Sequence, residues 1–181
     1  MMMDSGTENK LTIKQGVCYR WLMRLFICSD THGNYRDTVQ ALSLAGEIDL
    51  IIHLGDEVDD ADMIGHLTDI PIMRVAGNCD RLSTEKRELS VEINGYRLFL
   101  THGDAYGVKS GLAALLARAA AEHARIVLFG HTHIPLAEEI GSQLVINPGA
   151  MQNKGSSKSI AILTLEADCC SAQIVPVPFT P

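Results

Sequence analysis

Asp49-Leu50-Ile51-Ile52-His53-Leu54-Gly55-Asp56 is the stretch from which the rest of the chain reads. Leu50 to Leu54 is short and mostly apolar, the pattern of a strand in a sheet covered on both faces. Gly55 lets the backbone turn, and Asp56 falls just past the strand's carboxyl end. In open α/β sheets that edge is where ligands bind. A single Asp there more often caps a helix.

The same grammar recurs four times. Leu25-Phe26-Ile27-Cys28 runs into Ser29-Asp30-Thr31-His32-Gly33-Asn34, and Ile72-Met73-Arg74-Val75-Ala76 into Gly77-Asn78-Cys79-Asp80. Leu98-Phe99-Leu100 gives way to Thr101-His102-Gly103-Asp104, and Ile126-Val127-Leu128-Phe129 to Gly130-His131-Thr132-His133. Each alone serves as a cap or a hydrogen-bonded turn. Together, the five supply hard or borderline donors and read as one metal centre.

The candidate ligands are Asp30, His32, Asp56, Asn78, His102, His131 and His133. That set is too large for one ion of ordinary coordination, and reasonable for two that share Asp56. Oxygen and nitrogen donors without thiolate point to Mn²⁺, Fe or Zn²⁺ rather than to a Cys-rich structural zinc site. Asp30-x-His32 and His131-x-His133 each put two donors on one side of an extended segment, since side chains two apart share a face. Two ions roughly 3.5–4 Å apart can hold an attacking hydroxide and clamp a phosphoryl group.

Bulk properties narrow the class. The chain has 181 residues, 46% hydrophobic and 20% charged, which suits one globular domain. A net charge of -7 argues against a nucleic-acid partner, and no apolar run approaches the length of a membrane-spanning helix. Five cysteines (Cys18, Cys28, Cys79, Cys169, Cys170), odd in number and without a Cys-x-x-Cys pair, fit a reducing, cytoplasmic setting. Cys28 reads as packing.

Residues 1–22 are expected to be a disordered or non-native tail, with Met23 as an alternative start, and residues 23–181 a single domain. A helix is expected over Asp37 to Ala45, ending at Gly46. Asp59, Asp60 and Asp62 open a second helix, where carboxylates suit its positive end. Asn94-Gly95 marks a hairpin, and Leu112 to Ala124 a third helix with His123 at its end. Leu136-Ile140, Gln143-Ile146, Ser159-Leu165 and Ser171-Pro178 read as a β-meander, expected to form a second sheet packed on the first.

Asp-x-His, Gly-Asp, Gly-Asn-x-Asp, His-Gly-Asp and Gly-His-x-His, in that order, resemble the calcineurin-like metallophosphoesterase superfamily. Gly77-Asn78-Cys79-Asp80 and Ile146-Asn147-Pro148-Gly149 are similar to its compact YfcE-type phosphodiesterase branch, over residues 23 to 178. The resemblance implies an α/β fold, a four-layer α/β/β/α sandwich of two mixed sheets flanked by helices. It implies two divalent ions, Mn²⁺ foremost with Zn²⁺, Fe, Ni²⁺ or Co²⁺ as alternatives. Asp30, His32, Asp56 and His133 would hold one, and Asp56, Asn78, His102 and His131 the other. The implied reaction is hydrolysis of a small phosphodiester by a metal-bound hydroxide, with Asp56, Asn78, Cys79 and His102 as catalytic residues. A phosphomonoesterase or nucleotide pyrophosphatase on the same centre is the alternative, followed by a non-catalytic scaffold like the related retromer subunit. A homo-dimer or larger homo-oligomer is also implied.

Two positions depart from the pattern. Cys79 stands where the superfamily usually has a His that contacts phosphate or protonates the leaving group, although Cys is common there in this branch. A thiol can still donate a proton. Asp104 stands where many relatives have His, and either orients His102 or is a turn residue. His53 and His66 are expected to be structural, and Arg81 and Lys109 solvated.

Overall fold

The computed structural model describes residues 11–14, 17–20, 22–154 and 157–178. Leu11–Lys14 (β1) and Val17–Arg20 (β2) pair antiparallel as a separate two-stranded ribbon. The tail expected over residues 1–22 otherwise lies largely outside the described residues, and Leu22 already belongs to the next strand.

Alternation along Leu22–Cys28 (β3) sets up the layers. Leu25 and Ile27 face one apolar cluster, Phe26 and Cys28 another, and all four are fully buried. A strand covered on both faces sits in mid-sheet. Tyr35–Ala45 (α1) leads to Leu50–His53 (β4), and Val58–Thr68 (α2) to Ile72–Arg74 (β5). β3, β4 and β5 run parallel, as strand–helix–strand crossovers require.

The second sheet starts from a hairpin. Glu88–Ile93 (β6) and Tyr96–Thr101 (β7) pair antiparallel around Asn94 and Gly95, with φ of 50° and 84°. Positive φ at both central residues is what a type I′ turn demands. Ala113–Ala121 (α3) then leads to Ile126–Leu128 (β8), parallel to β7. The helix is shorter than expected, because His123 turns left-handed and its N–H closes back on the Ala120 carbonyl.

The four C-terminal strands do not form a sheet of their own. Leu136–Ile140 (β9) and Gln143–Asn147 (β10) complete the second sheet, in the order β6-β7-β8-β10-β9. Lys158–Glu166 (β11) and Cys170–Val177 (β12) cross to the first, giving β12-β11-β3-β4-β5. The reason is burial. Ile160 and Ile162 point toward the α1 and α2 side while Ala161, Leu163 and Leu165 point toward the second sheet, so β11 needs cover on both faces. The open edge of β3 supplies it, in antiparallel register.

Three apolar clusters fill the spaces: one between the sheets, one under α1 and α2, one under α3. The result is the expected α/β/β/α sandwich. No helix among the described residues is long and apolar enough to cross a membrane. Leu115 is the fully buried anchor of α3 against Phe99, Val127 and Val145. Leu115→Ala should cost about 2–5 kcal/mol in denaturant unfolding, whereas Ala117→Ser, at an exposed position of the same helix, should cost well under half of that.

Candidate metal centre

The loops after β3, β4, β5, β7 and β8 meet at one edge of the sandwich. Asp30 N–H donates to the Gly55 carbonyl at 3.0 Å, and Gly130 N–H to the His102 carbonyl at 3.0 Å, so loops of different strands are stitched backbone to backbone. Five of the seven expected residues lie in the left-handed region: Asp30 (φ 53°), His32 (45°), Asp56 (58°), His131 (67°) and His133 (60°). Such backbone costs on the order of 1 kcal/mol or more per non-glycine residue and gathers at functional sites. Asp30-x-His32 and His131-x-His133 are therefore not extended segments. Their donors converge because the chain coils tightly, not because alternate residues share a strand face.

Two glycines permit the close approach. A Cβ on Gly77 would lie 2.2 Å from Asp56 Oδ1, and one on Gly130 would lie 2.0 Å from Ser29 Oγ.

All seven side chains come together. Asp30 is fully buried, and its Oδ2 accepts from Ser29 Oγ (2.6 Å) and the His131 N–H (3.1 Å). Its Oδ1 faces His133 Nε2 at 3.0 Å and His102 Nε2 at 4.0 Å. Asp56 Oδ1 accepts the Cys79 N–H at 2.8 Å, while Oδ2 faces His102 Nε2 at 3.5 Å and His32 Nε2 at 3.8 Å. Two sets of donor atoms lie within 4.8 Å of one another: Asp30, His32 and His133, then Asp56, His102 and His131. Cys79 joins His32 and Asp56 in a third.

His102 sits at the centre of the problem these groups pose. Its Nδ1 lies 2.8 Å from the Leu54 carbonyl, which only accepts, so Nδ1 carries a proton and Nε2 is the ring nitrogen turned to the centre. That nitrogen faces Asn78 Oδ1 at 3.2 Å, His131 Nδ1 at 3.1 Å and Asp56 Oδ2 at 3.5 Å. A carboxylate, an amide oxygen and two imidazoles converging on one point favour positive charge there. The titration tendencies agree. Burial opposes charge on His102, yet the Asp56 and Asp30 carboxylates raise its pKa. Burial pushes the Asp30 and Asp56 carboxyls up, but hydrogen bonds from His133 and His102 hold both below the usual range. Burial and then the charge of His102 lower His131.

Several supporting residues escaped sequence reading. The Asp80 carboxylate accepts four backbone N–H groups, those of Gly77 (2.7 Å) and Asp56, Glu57 and Val58 (2.9 Å each). It thereby caps α2 from another loop. The motif's terminal Asp was the available signal. Asp60, expected as a helix-end charge, is instead buried and accepts the Gly33 N–H at 2.8 Å. Gln152 lies 2.8 Å from His133 Nδ1, and Asn147 donates to the Gly130 carbonyl at 2.8 Å.

Other expectations sort cleanly. His53 is structural: its ring meets Thr31 Oγ1 and the Gly55 N–H, and burial pushes its pKa down to about 4. Asp104 does not reach His102. It pairs with Arg87 Nη2 at 2.7 Å, while Arg87 Nη1 donates to the Gly77 carbonyl at 3.1 Å. Cys79 is exposed, and burial of its thiol together with the Asp56 carboxylate pushes its pKa up to about 11. Beside it opens a hollow of about 500 Å³ whose walls include Glu57, Asp59, Arg81 and Leu82.

This arrangement has close counterparts. The calcineurin-like phosphoesterase superfamily domain matches residues 23–168. A probable metallophosphoesterase of Bacillus subtilis, YsnB, is 34% identical over 155 residues, covering 83% of this chain and 89% of its own length. The Escherichia coli phosphodiesterase YfcE is 28% identical over 155 residues, covering 72% of this chain and 80% of its own. Among solved structures, Vps29 from Entamoeba histolytica superposes with a TM-score of 0.70 at 19% identity, over 87% of this chain and 100% of that one. With the match spanning most of the chain, this protein belongs to the calcineurin-like phosphoesterase superfamily.

Proposed function

We propose that this protein is a metal-dependent phosphodiesterase that hydrolyses small phosphodiesters at a two-ion centre. Asp30, His32, Asp56 and His133 would hold one ion, and Asp56, Asn78, His102 and His131 the other. The observation that carries the reading is the convergence of the donor atoms, with Asn78 Oδ1, His131 Nδ1 and Asp56 Oδ2 within 3.5 Å of His102 Nε2 and Asp30, His32 and His133 grouped beside them. The donors are oxygen and imidazole nitrogen, a set suited to Mn²⁺, Fe or Zn²⁺, and the family resemblance puts Mn²⁺ first, with Ni²⁺ and Co²⁺ as further alternatives. When bound, two such ions supply a hydroxide at neutral pH and offset the charge of the transferred phosphoryl group.

The chain's own residues do the rest. Asp56 lies between the two donor sets, held by the Cys79 N–H on one oxygen, with the other facing His102 Nε2 at 3.5 Å and His32 Nε2 at 3.8 Å. Asn78 donates its amide N–H to Cys79 Sγ at 3.3 Å and turns its oxygen toward His102 Nε2. A Cys79 thiol with pKa near 11 stays protonated at neutral pH and would protonate the departing alkoxide. The adjoining hollow is large enough for one ester arm of a small substrate.

The scaffold reading draws on the fold shared with Vps29, but every position of the donor set is filled here. A stable protein partner together with no turnover of any phosphoester would favour it.

Chelator-stripped protein should be inert toward a bis-aryl phosphate and gain turnover on addition of Mn²⁺, with the matching monoester slower. Equal or faster monoester turnover would turn the assignment to a phosphomonoesterase. Asp56→Asn should lose more activity than the roughly 10–100-fold typical of removing a ligand's outer hydrogen-bond partner; near-normal turnover with metal content intact would sink the assignment. Cys79→Ala should leave aryl diesters within a few fold, because an aryl oxide departs unaided, and slow alkyl diesters by about 100-fold or more. Equal losses on both substrates would remove the thiol from the proton-donor role.

A further inference from the structure

A buried charge holds the segment that joins the two sheets. β10 ends at Asn147 in the second sheet, and β11 begins at Lys158 in the first. Between them the chain passes the centre. The Gln152 side chain lies 2.8 Å from His133 Nδ1, and the Met151 N–H donates to the Ser29 carbonyl, next to Asp30, at 3.2 Å. Lys158 is 2% exposed, although lysine is almost never fully buried unless it is paired. Its ammonium donates to the Asp37 carboxylate in the first turn of α1, and to Asn153 Oδ1 at 2.6 Å. Asn34 closes the network from the loop that carries Asp30 and His32. Its amide nitrogen donates to the Met151 carbonyl at 2.6 Å and to Asp37 Oδ2 at 3.2 Å, both acceptors, so the partners fix which way the amide points.

Asn34 and Asp37 occupy the cap and third positions of α1, where such side chains ordinarily bond the helix's own N–H groups. The Asn34 side chain makes no capping bond and turns to the connecting segment instead. A buried ion pair is also a weak source of stability, because desolvation offsets most of its attraction. What the three residues do secure is the place of the segment, against the Asp30–His32 loop on one side and His133 on the other.

We infer that Lys158 is a positioning residue of the centre: through Asp37 and Asn34 it clamps the connecting segment onto the Asp30–His32 loop, and so sets the spacing of the Asp30, His32 and His133 half. The inference rests on the two-ion reading above. The other half is fixed elsewhere, Asp56 by the Cys79 N–H at 2.8 Å and His102 by the Leu54 carbonyl at 2.8 Å. Loss of the clamp therefore acts on one ion and not on both.

Stability and positioning separate in a pair of variants. Lys158→Met leaves the Asp37 carboxylate without its ammonium, so the midpoint of denaturant unfolding should fall. Adding Asp37→Leu removes the second charge, and the double variant should recover most of that loss, as apolar replacement of a buried pair usually does. Its metal binding should not recover. Calorimetric titration of chelator-stripped protein with Mn²⁺ should show two steps in the wild type, and His133→Ala identifies the step of that half by its loss. In the double variant this step should be weakened by about 10–100-fold, the range for removing support behind a ligand, with the other step unchanged. Recovery of stability and of both steps would make the pair merely structural and overturn the inference, as would equal weakening of the two steps. Asn34→Ser keeps the test decisive if the double variant fails to fold. Serine caps a helix about as well as asparagine, but it lacks the amide that reaches Met151 and Asp37. The same step should weaken with the unfolding midpoint close to wild type, and unchanged Mn²⁺ binding would overturn the clamp. A wild type that takes up no ion would instead remove the two-ion reading itself.

Discussion

Four backbone N–H groups converge on the Asp80 carboxylate, and the rest of the centre depends on that knot. Hydrogen bonds to a charged acceptor are roughly twice as strong as neutral ones. Here they join the end of β4, the start of α2 and the loop after β5. With Asp56 N–H and Gly77 N–H on the same oxygen, the two loops lie so close that Gly77 has no room for a Cβ. Asp56 is thereby forced into left-handed backbone and its carboxylate turned toward His102. Arg87 extends the arrangement, tying the Gly77 carbonyl to Asp104 and so the Asn78 loop to the His102 loop. Neither Asp80 nor Arg87 is among the seven candidate ligands, yet both fix where those ligands point.

The sandwich explains why five loops can meet at all. Both sheets carry parallel strands at their centres, so β3, β4, β7 and β8 deliver their carboxyl ends to the same edge. The apolar layer between the sheets sets their separation, and the backbone bonds from Asp30 to Gly55 and from Gly130 to His102 knit the loops within each sheet. The Asp30 side chain and the His131 backbone then close the gap between sheets, through the His131 N–H on Asp30 Oδ2.

Local pattern and residue type made much of this legible. Five apolar runs ending in Gly with Asp, Asn or His named the ligand loops, and Asn94-Gly95 named the hairpin. Partner choice was not legible. A strand's alternation shows that it has two faces, not which sheet covers them, so β11 and β12 read as a continuation of the meander when they belong beside β3. Asp60 and Asp80 look like ordinary helix and turn carboxylates because all but one of the N–H groups they accept, that of Gly77, are 20 or more residues away. The extended reading of Asp30-x-His32 failed for a related reason. Left-handed backbone at a non-glycine residue is imposed by surrounding contacts, and nothing in three residues announces it.

Strain, buried charge and crowded donor atoms point to a centre that the fold tolerates rather than prefers. Asp30, Asp56 and Asp60 are buried, and five candidate ligands sit in costly backbone. Hydrogen bonds from Ser29, Cys79, Gly33 and His131 offset part of this, but they leave the inner oxygens of Asp30 and Asp56 directed at imidazoles. A group that binds only the folded state shifts folding toward it by mass action, so cations there would return stability that the site gives up. Local rules of backbone and charge are broken where chemistry is to be done, and the intact apolar layers carry the cost. The fold and the centre are thus coupled, and the centre's geometry has no other source than the sandwich.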